Sequence, residues 1–530
     1  MYLMNMKQSL FYFIISISSV LPFLFSCEKV DLGSIETRLT EIEGNNSNMD
    51  IKTELISFSI LAKDNPKELV NDVVGLVIGD SIIECWSHQL MKSKYLKPEI
   101  IFNGNQVLID GESYNENQKY DFSRPVYLKV DGSTASKCYR VYLHSFTGLP
   151  VIWIETDNRQ EITSKEEYLH ARFRLEENVV TRAAGDVIET DVSIKGRGNN
   201  TWLDHPKKPY RLKFNEKISL LDEPADKSWV LLANYYDKTM LRNYLSFCLG
   251  HISNLEYTPH SHFVELILNG RYNGTYQLTD KLKISKNRAR PGGVLLEVDR
   301  YAPREEDARY FKTDSLKFPI NIKDPEVEYN DSVFNYTKQF VIEAEKALFS
   351  DKFKDPELGW QHYMDINTFV DWYIITELAK SAETVWMTSY LTLKQGEKLM
   401  MGPLWDYDKS YGNFYRSDFP MLESPQGFWV KNSSWFRRLF QDEAFVLKLK
   451  ERMPYFQSRL EKILNEINES AQYLSFSAEE NNKRWDIFYH TNPNNSNDYD
   501  IWGNYQNEVQ CLKEWFIARL NWLSSEIDKM

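Results

Sequence analysis

Between about Ile51 and Phe146, apolar and polar residues alternate in short runs that end in turns. Val73-Val74-Gly75-Leu76-Val77-Ile78 stops at Gly79-Asp80, and Val107-Leu108-Ile109 stops at Asp110-Gly111. Val126-Tyr127-Leu128-Lys129-Val130 reaches Asp131-Gly132 and pairs across it with Tyr139-Arg140-Val141-Tyr142-Leu143. Period-two alternation with regular turn signals predicts strands. Together they predict an immunoglobulin-like β-sandwich over residues 51–147. Gly148-Leu149-Pro150 marks a boundary, so this module is expected to fold separately from residues 150–530.

Beyond the boundary the pattern is mixed, and the chain as a whole reads as α+β. Val151-Ile152-Trp153-Ile154 is a buried-strand run, and Tyr210-Arg211-Leu212-Lys213-Phe214 alternates. Residues 263–268 reach Asn269-Gly270 and return through Thr275-Tyr276-Gln277-Leu278, the strongest hairpin signal in the chain. The C-terminal third changes to helical spacing, with Leu460, Ile463, Leu464 and Ile467 on one stripe. An Asn-rich loop occupies residues 492–497.

The N-terminus follows another logic. Lys7 precedes an apolar run from Leu10 through Phe25, which ends at Leu24-Phe25-Ser26-Cys27 and meets Glu28, Lys29 and Asp31 at once. The run is short for a membrane span and has the form of a signal peptide over residues 1–26. It resembles a bacterial lipobox, implying lipid on Cys27, export and anchoring to the cell envelope, at the outer membrane or cell surface. Leu32, Ile35, Leu39 and Ile42 then form under two heptads, a tether over residues 27–50 rather than a stable coiled coil.

Composition adds limits. The 530 residues are 42% hydrophobic and 14% aromatic, enough for a sizeable core. A net charge of −13 argues against a nucleic-acid partner, and the clearest basic patch is Lys207-Lys208 with Arg211 and Lys213. Cys85, Cys138, Cys248 and Cys511 match no zinc spacing; Cys85 and Cys138 share the β-module, where a bridge and buried thiols both remain open.

Candidate chemistry concentrates in Gly402-Pro403-Leu404-Trp405-Asp406-Tyr407-Asp408, followed by Gly412-Asn413. Two carboxylates among apolar neighbours are costly to bury unless a cation or proton compensates them. Glu383 lies upstream, after the apolar run 369–375. Carboxylates on separate elements suit phosphoryl transfer, one orienting the attacking hydroxyl and one holding magnesium. A turn cap before Gly412 accounts for Asp406 and Asp408 equally well on local pattern. Lys195-Gly196-Arg197-Gly198-Asn199-Asn200-Thr201-Trp202 has glycines that admit an anion to the backbone, with Lys207 and Lys208 following. His260 and His262 form a two-ligand pair lacking a third. Trp372, Trp386 and Trp405 serve equally for stacking or for core.

The order of these motifs carries more than any one of them. Residues 196–202, 210–214, 229–238, Leu241-Arg242-Asn243, Tyr257-Thr258-Pro259, 269–276, Gly292-Gly293-Val294-Leu295-Leu296-Glu297 and 402–408 together resemble the CotH kinase family over roughly residues 150–470. The resemblance implies an atypical protein-kinase-like fold with a helical C-terminal part, which uses ATP with magnesium or manganese to phosphorylate Ser/Thr hydroxyls of a protein substrate. It implies Asp406 as metal ligand and Glu383 at the catalytic aspartate position, with Asp408 and Asn413 as further metal candidates. Lys213 is the candidate strand lysine for phosphate, with Arg197, Asn199 and Lys208 beside it. Thr388 stands where a typical kinase keeps a metal-binding Asn, and Asp280 where the family often has Glu. Glutamate at 383 departs from the family, adding one methylene, on the order of 1.5 Å, a misplacement worth roughly a hundredfold in rate. Restoring Asp is therefore expected to raise the rate. A pseudokinase or surface binding protein is the alternative, and a carbohydrate hydrolase with paired carboxylates a third class.

Overall fold

The computed structural model describes residues 53–87, 91, 93–177, 187–413, 420–488 and 503–530. The signal segment, Cys27, the heptad stripe and the Asn-rich loop lie outside them. Residues from Thr53 to Met530 form one compact unit.

The N-terminal region is all β, as expected. Eight strands join in one ladder, and inner residues such as Phe58, Ile83, Val107, Leu128, Val130 and Val141 share one core. The strand Val126–Asp131 shows the cause plainly: Val126, Leu128 and Val130 are buried while Tyr127 is exposed. It pairs antiparallel with Ser136–Ser145, Asp131 facing Ser136 across the turn, and Ser136–Ser145 continues in parallel beside Ile82–Ser87. Cys85 is buried in that core and Cys138 is exposed; both are free thiols.

Seven strands then close into a barrel in the order Val151–Thr156, Leu169–Glu176, Val187–Gly196, Tyr210–Ile218, Asp226–Leu232, Arg271–Asp280, Ser261–Leu268. Closure removes sheet edges, and it rests on parallel pairing of Val151–Thr156 with Ser261–Leu268. The predicted hairpin is present: Leu268 faces Arg271, and Asn269 and Gly270 take φ of 53° and 80°, the left-handed pair that this turn requires. Val192, Ile194, Leu212, Phe214, Trp229 and Leu266 fill the barrel.

A five-stranded sheet follows, with Val294–Val298 at its centre between Ile320–Asp324 and Ser389–Leu393. It joins a helical body in one large core. The helix Ile366–Ala379 is buried on nearly every side, so its polar residues need partners. Asp371 takes both forks of Arg452 at 2.7 and 2.8 Å, and Glu377 takes Arg519 at 2.7 Å.

The change of character at Gly148 is a change of sheet, because buried charges cross it. His144, on the N-terminal sheet, places Nε2 2.7 Å from Glu84 and Nδ1 3.1 Å from Glu480 of the helix Leu460–Trp485. Lys94 and Lys483 also pair with Glu480, and Arg271 of the barrel lies 3.5 Å from Glu84. Burial opposes protonation of His144, but Glu84 and Glu480 raise its pKa overall. Despite burial, Glu480 falls to about 2, held there by His144 and Lys94.

His144→Gln should therefore cost about 3–5 kcal/mol, since it leaves two buried carboxylates facing a neutral amide. The His144 contribution is complete below the ordinary histidine pKa and is lost as pH rises through the raised value. The gap in thermal midpoint between wild type and variant should thus be widest at mildly acidic pH and narrow towards alkaline pH. Differential scanning calorimetry across pH 5–9 checks this, and a gap that widens with pH contradicts it.

Candidate active site

The segment from Gly402 to Tyr411 carries two carboxylates and is clamped from both sides. The Tyr407 amide donates to Asn243 Oδ1 at 2.7 Å, and its hydroxyl meets Thr376 Oγ1 at 3.0 Å. Arg242 Nε donates to the Ser410 carbonyl at 3.1 Å, and Tyr411 N donates to the Ala379 carbonyl at 2.7 Å. Helices Arg242–His251 and Ile366–Ala379 thus hold the loop between them. This anchoring keeps Asp406 at φ 68°, a left-handed conformation that costs a non-glycine residue on the order of 1–3 kcal/mol. The strained residue faces a cavity of about 490 Å³, a size suited to a small-molecule ligand.

Glu383 reaches the same cavity from the other side of the loop. Lys380 caps the helix Ile366–Ala379 at φ 49°, and its ammonium donates to the carbonyls of Met421, Ser424 and Gln426. Glu377 accepts from the amides of Trp429 and Lys431 at 2.6 and 3.0 Å. The turn carrying Glu383 therefore starts from a fixed point. Its carboxylate accepts from Lys409 Nζ at 2.8 Å, with both side chains largely buried.

The electrostatics follow from this crowding. Burial and then Glu383 raise Asp406, while Arg197 and Lys409 oppose the rise. Burial and Asp406 hold Asp408 well above the usual carboxylate range. Arg197 lies over the Trp405 ring at 5.4 Å; burial lowers its pKa and Asp406 resists the fall. Across the cavity, burial lifts Glu297 to about 7 although Lys323 lies 3.2 Å away.

Another part of the lining is basic. Lys195, Arg211 and Lys281 all line the cavity, and no ion pair joins any of them to a carboxylate among the described residues. Burial and then Arg211 lower Lys281 to about 8, with Asp324 opposing the fall. Glycine is required twice in the loop: Gly198 has φ 83°, and a Cβ on Gly196 would come within 2.3 Å of the Trp202 ring that packs against it.

The placement of the residues named from sequence is mixed. Glu383, Asp406, Asp408, Arg197, Asn199 and Thr388 line the one cavity. Lys213 does not; it is exposed, with its ammonium 5.9 Å from the Tyr168 ring, and Arg211 two residues earlier on the same strand face reaches the cavity instead. Lys208 is also outside, donating to the Trp202 carbonyl, and Lys207 is buried against Thr275 and Asn481 with its pKa lowered to about 7. Asn413 Nδ2 donates to the carbonyls of Tyr236 and Asp408 at 3.0 and 2.8 Å, a loop-closing role. Asp280 forms a buried ion pair with Arg288 at 2.7 Å, and His260 and His262 both pair with Glu223. Trp372 stacks on Phe436 in the core, Trp386 meets Trp429 edge-on, and only Trp405 of the three lines the cavity.

Lys281, Glu297, Lys323 and Lys409 are cavity residues that sequence reasoning did not select, and Arg211 was noted there only as part of a basic patch. Lys409 directly follows Asp408, and Glu297 ends a motif already singled out, so both had a signal beside them. Lys281 directly follows Asp280, but that stretch read as the end of a hairpin.

Closed barrel, central sheet and helical body surround a cavity lined by both acidic and basic side chains. A model of the CotH kinase protein family matches residues 192–523, more than half the chain, and the chain belongs to that family. No curated protein matches. Among solved structures, the chain is similar to a crystal structure from Bacteroides thetaiotaomicron described as a candidate glycoside hydrolase, at 8% identity. The match covers 72% of this chain and 89% of that one with a TM-score of 0.18, a likeness too slight to carry an argument.

The anchoring of the Glu383 turn is open to a direct check. Glu377→Gln leaves the Arg519 guanidinium buried without its counter-charge, at a cost of about 3–5 kcal/mol. Denaturant unfolding should show that loss, and an unchanged midpoint would mean that the pair does not hold the helix.

Proposed function

We propose that this protein transfers the γ-phosphoryl group of ATP to a serine or threonine hydroxyl of a protein substrate. The observation that carries the proposal is the convergence of Glu383, Asp406 and Asp408 on one cavity whose lining also holds Lys195, Arg211 and Lys281. A triphosphate and its metal require both signs of charge in one place.

A divalent cation suits the donor set. No group of three or more metal-binding side chains gathers among the described residues. Magnesium, however, takes one or two carboxylates and completes its shell with phosphate oxygens and water. Asp406 and Asp408 are hard oxygen donors, raised above the usual carboxylate range by burial and by the neighbouring carboxylates. They would hold the ion, which on binding neutralises phosphate charge.

The chain's own residues do the rest. Glu383 accepts the proton of the acceptor hydroxyl as its oxygen attacks the γ-phosphorus. The bond to the β–γ bridging oxygen breaks, and its electron pair leaves with ADP. Arg211 and Lys281 take up charge on the phosphates, and Arg197 lies beside Asp406 over Trp405. The glycine-rich loop supplies backbone amides. As part of this reading the protein is exported and lipid-anchored through Cys27, supported by the apolar run that ends there.

Asp406→Asn should weaken ATP–magnesium binding at least tenfold, while Glu383→Gln should leave affinity within about twofold and abolish transfer. Lys281→Met should weaken binding, whereas Lys213→Met should not. Calorimetric titration beside a labelled-phosphate assay checks all four. Binding without transfer by the wild type would favour a pseudokinase, and no binding at all would remove the kinase reading.

A further inference from the structure

Resting on the proposed reaction, we propose that Lys409 is a positioning residue for Glu383, and that glutamate at 383 has the length this pair requires. Lys409 Nζ sits 2.8 Å from Glu383 Oε1. The ammonium is itself fixed, lying 4.6 Å from the Tyr236 ring centroid, and its backbone carbonyl accepts from the Ala382 amide at 3.3 Å. The loop carrying Lys409 and the turn carrying Glu383 are thus joined twice, once through backbone and once through charge. Asn413 bonds to the carbonyls of Tyr236 and Asp408, which ties the platform under Lys409 to the metal-binding loop.

The geometry divides the work of the carboxylate. One oxygen is engaged by Lys409, which leaves the other for the acceptor hydroxyl. An aspartate at 383 would end about 1.5 Å short of Lys409, one carbon–carbon bond. It would lose the tether, and a carboxylate that swings freely spends less time in the attacking geometry. The extra methylene is then a fit to this cavity, and the expectation that aspartate raises the rate is reversed.

The test is a double-mutant cycle on the full chain, using Glu383→Asp, Lys409→Met, Lys409→Arg and the Glu383→Asp/Lys409→Met pair. Thermal unfolding confirms that each variant is folded before its rate is read. Glu383→Asp and Lys409→Met should each lower kcat about tenfold to hundredfold with the KM for ATP unchanged. Lys409→Arg should retain most of the activity lost in Lys409→Met, and the double variant should be no slower than the slower single one. A merely structural role for Lys409 would move stability and KM together and would not show this loss of additivity. A Glu383→Asp enzyme faster than wild type, or fully additive losses, overturns the inference and leaves the kinase reading intact. A wild-type protein that binds ATP and transfers nothing overturns both.

Discussion

Packing three carboxylates around one cavity is the constraint on which the rest of this structure depends. Two like charges about 4 Å apart repel by about 4 kcal/mol even at an effective dielectric of about 20. Glu383, Asp406 and Asp408 line the same cavity, and fixed cations oppose their repulsion. Lys409 and Arg197 do so from within the chain. Their compensation is partial, since Asp406 and Asp408 still lie above the usual carboxylate range.

The scaffold answers the same constraint at longer range. Charges held together against repulsion separate unless the backbone beneath them is fixed. Helix Ile366–Ala379 supplies that base through two buried ion pairs, Asp371 with Arg452 and Glu377 with Arg519. Helix Arg242–His251 closes the other side through Asn243 and Arg242. The barrel contributes the glycine-rich loop and Arg211 to the cavity lining. The buried contacts of His144 with Glu84 and Glu480 then lock the N-terminal sheet to this body, which makes that sheet part of one compact unit.

Much of this was legible in the sequence because it was local. Asn269-Gly270 between two alternating runs specifies a hairpin whatever surrounds it, and the strands at 126–131 and 136–145 announce themselves by the same alternation. The carboxylates Asp406 and Asp408 stood out because charge in an apolar run demands an explanation. Closure of the barrel was not legible, since it pairs residues 151–154 with residues 265–268 and no local pattern encodes that parallel register. The alternation at 210–214 told that Arg211 and Lys213 share a face, but not which end of the strand meets the cavity. Lys409 carried no motif of its own, because its contact with Glu383 exists only once the two are folded side by side. At Gly148 the break in pattern is real, while the charges that bridge it lie hundreds of residues apart and leave no local trace.

The central claim is that the acidic and basic parts of this cavity bind one metal–triphosphate between them. A crystal structure of the protein with a non-hydrolysable ATP analogue and manganese, using the anomalous signal of the metal, tests it most directly. The account predicts manganese bound to Asp406, with Asp408 beside it, and the phosphates directed at Arg211 and Lys281. Metal or nucleotide seated elsewhere, with this cavity empty under saturating conditions, would contradict it.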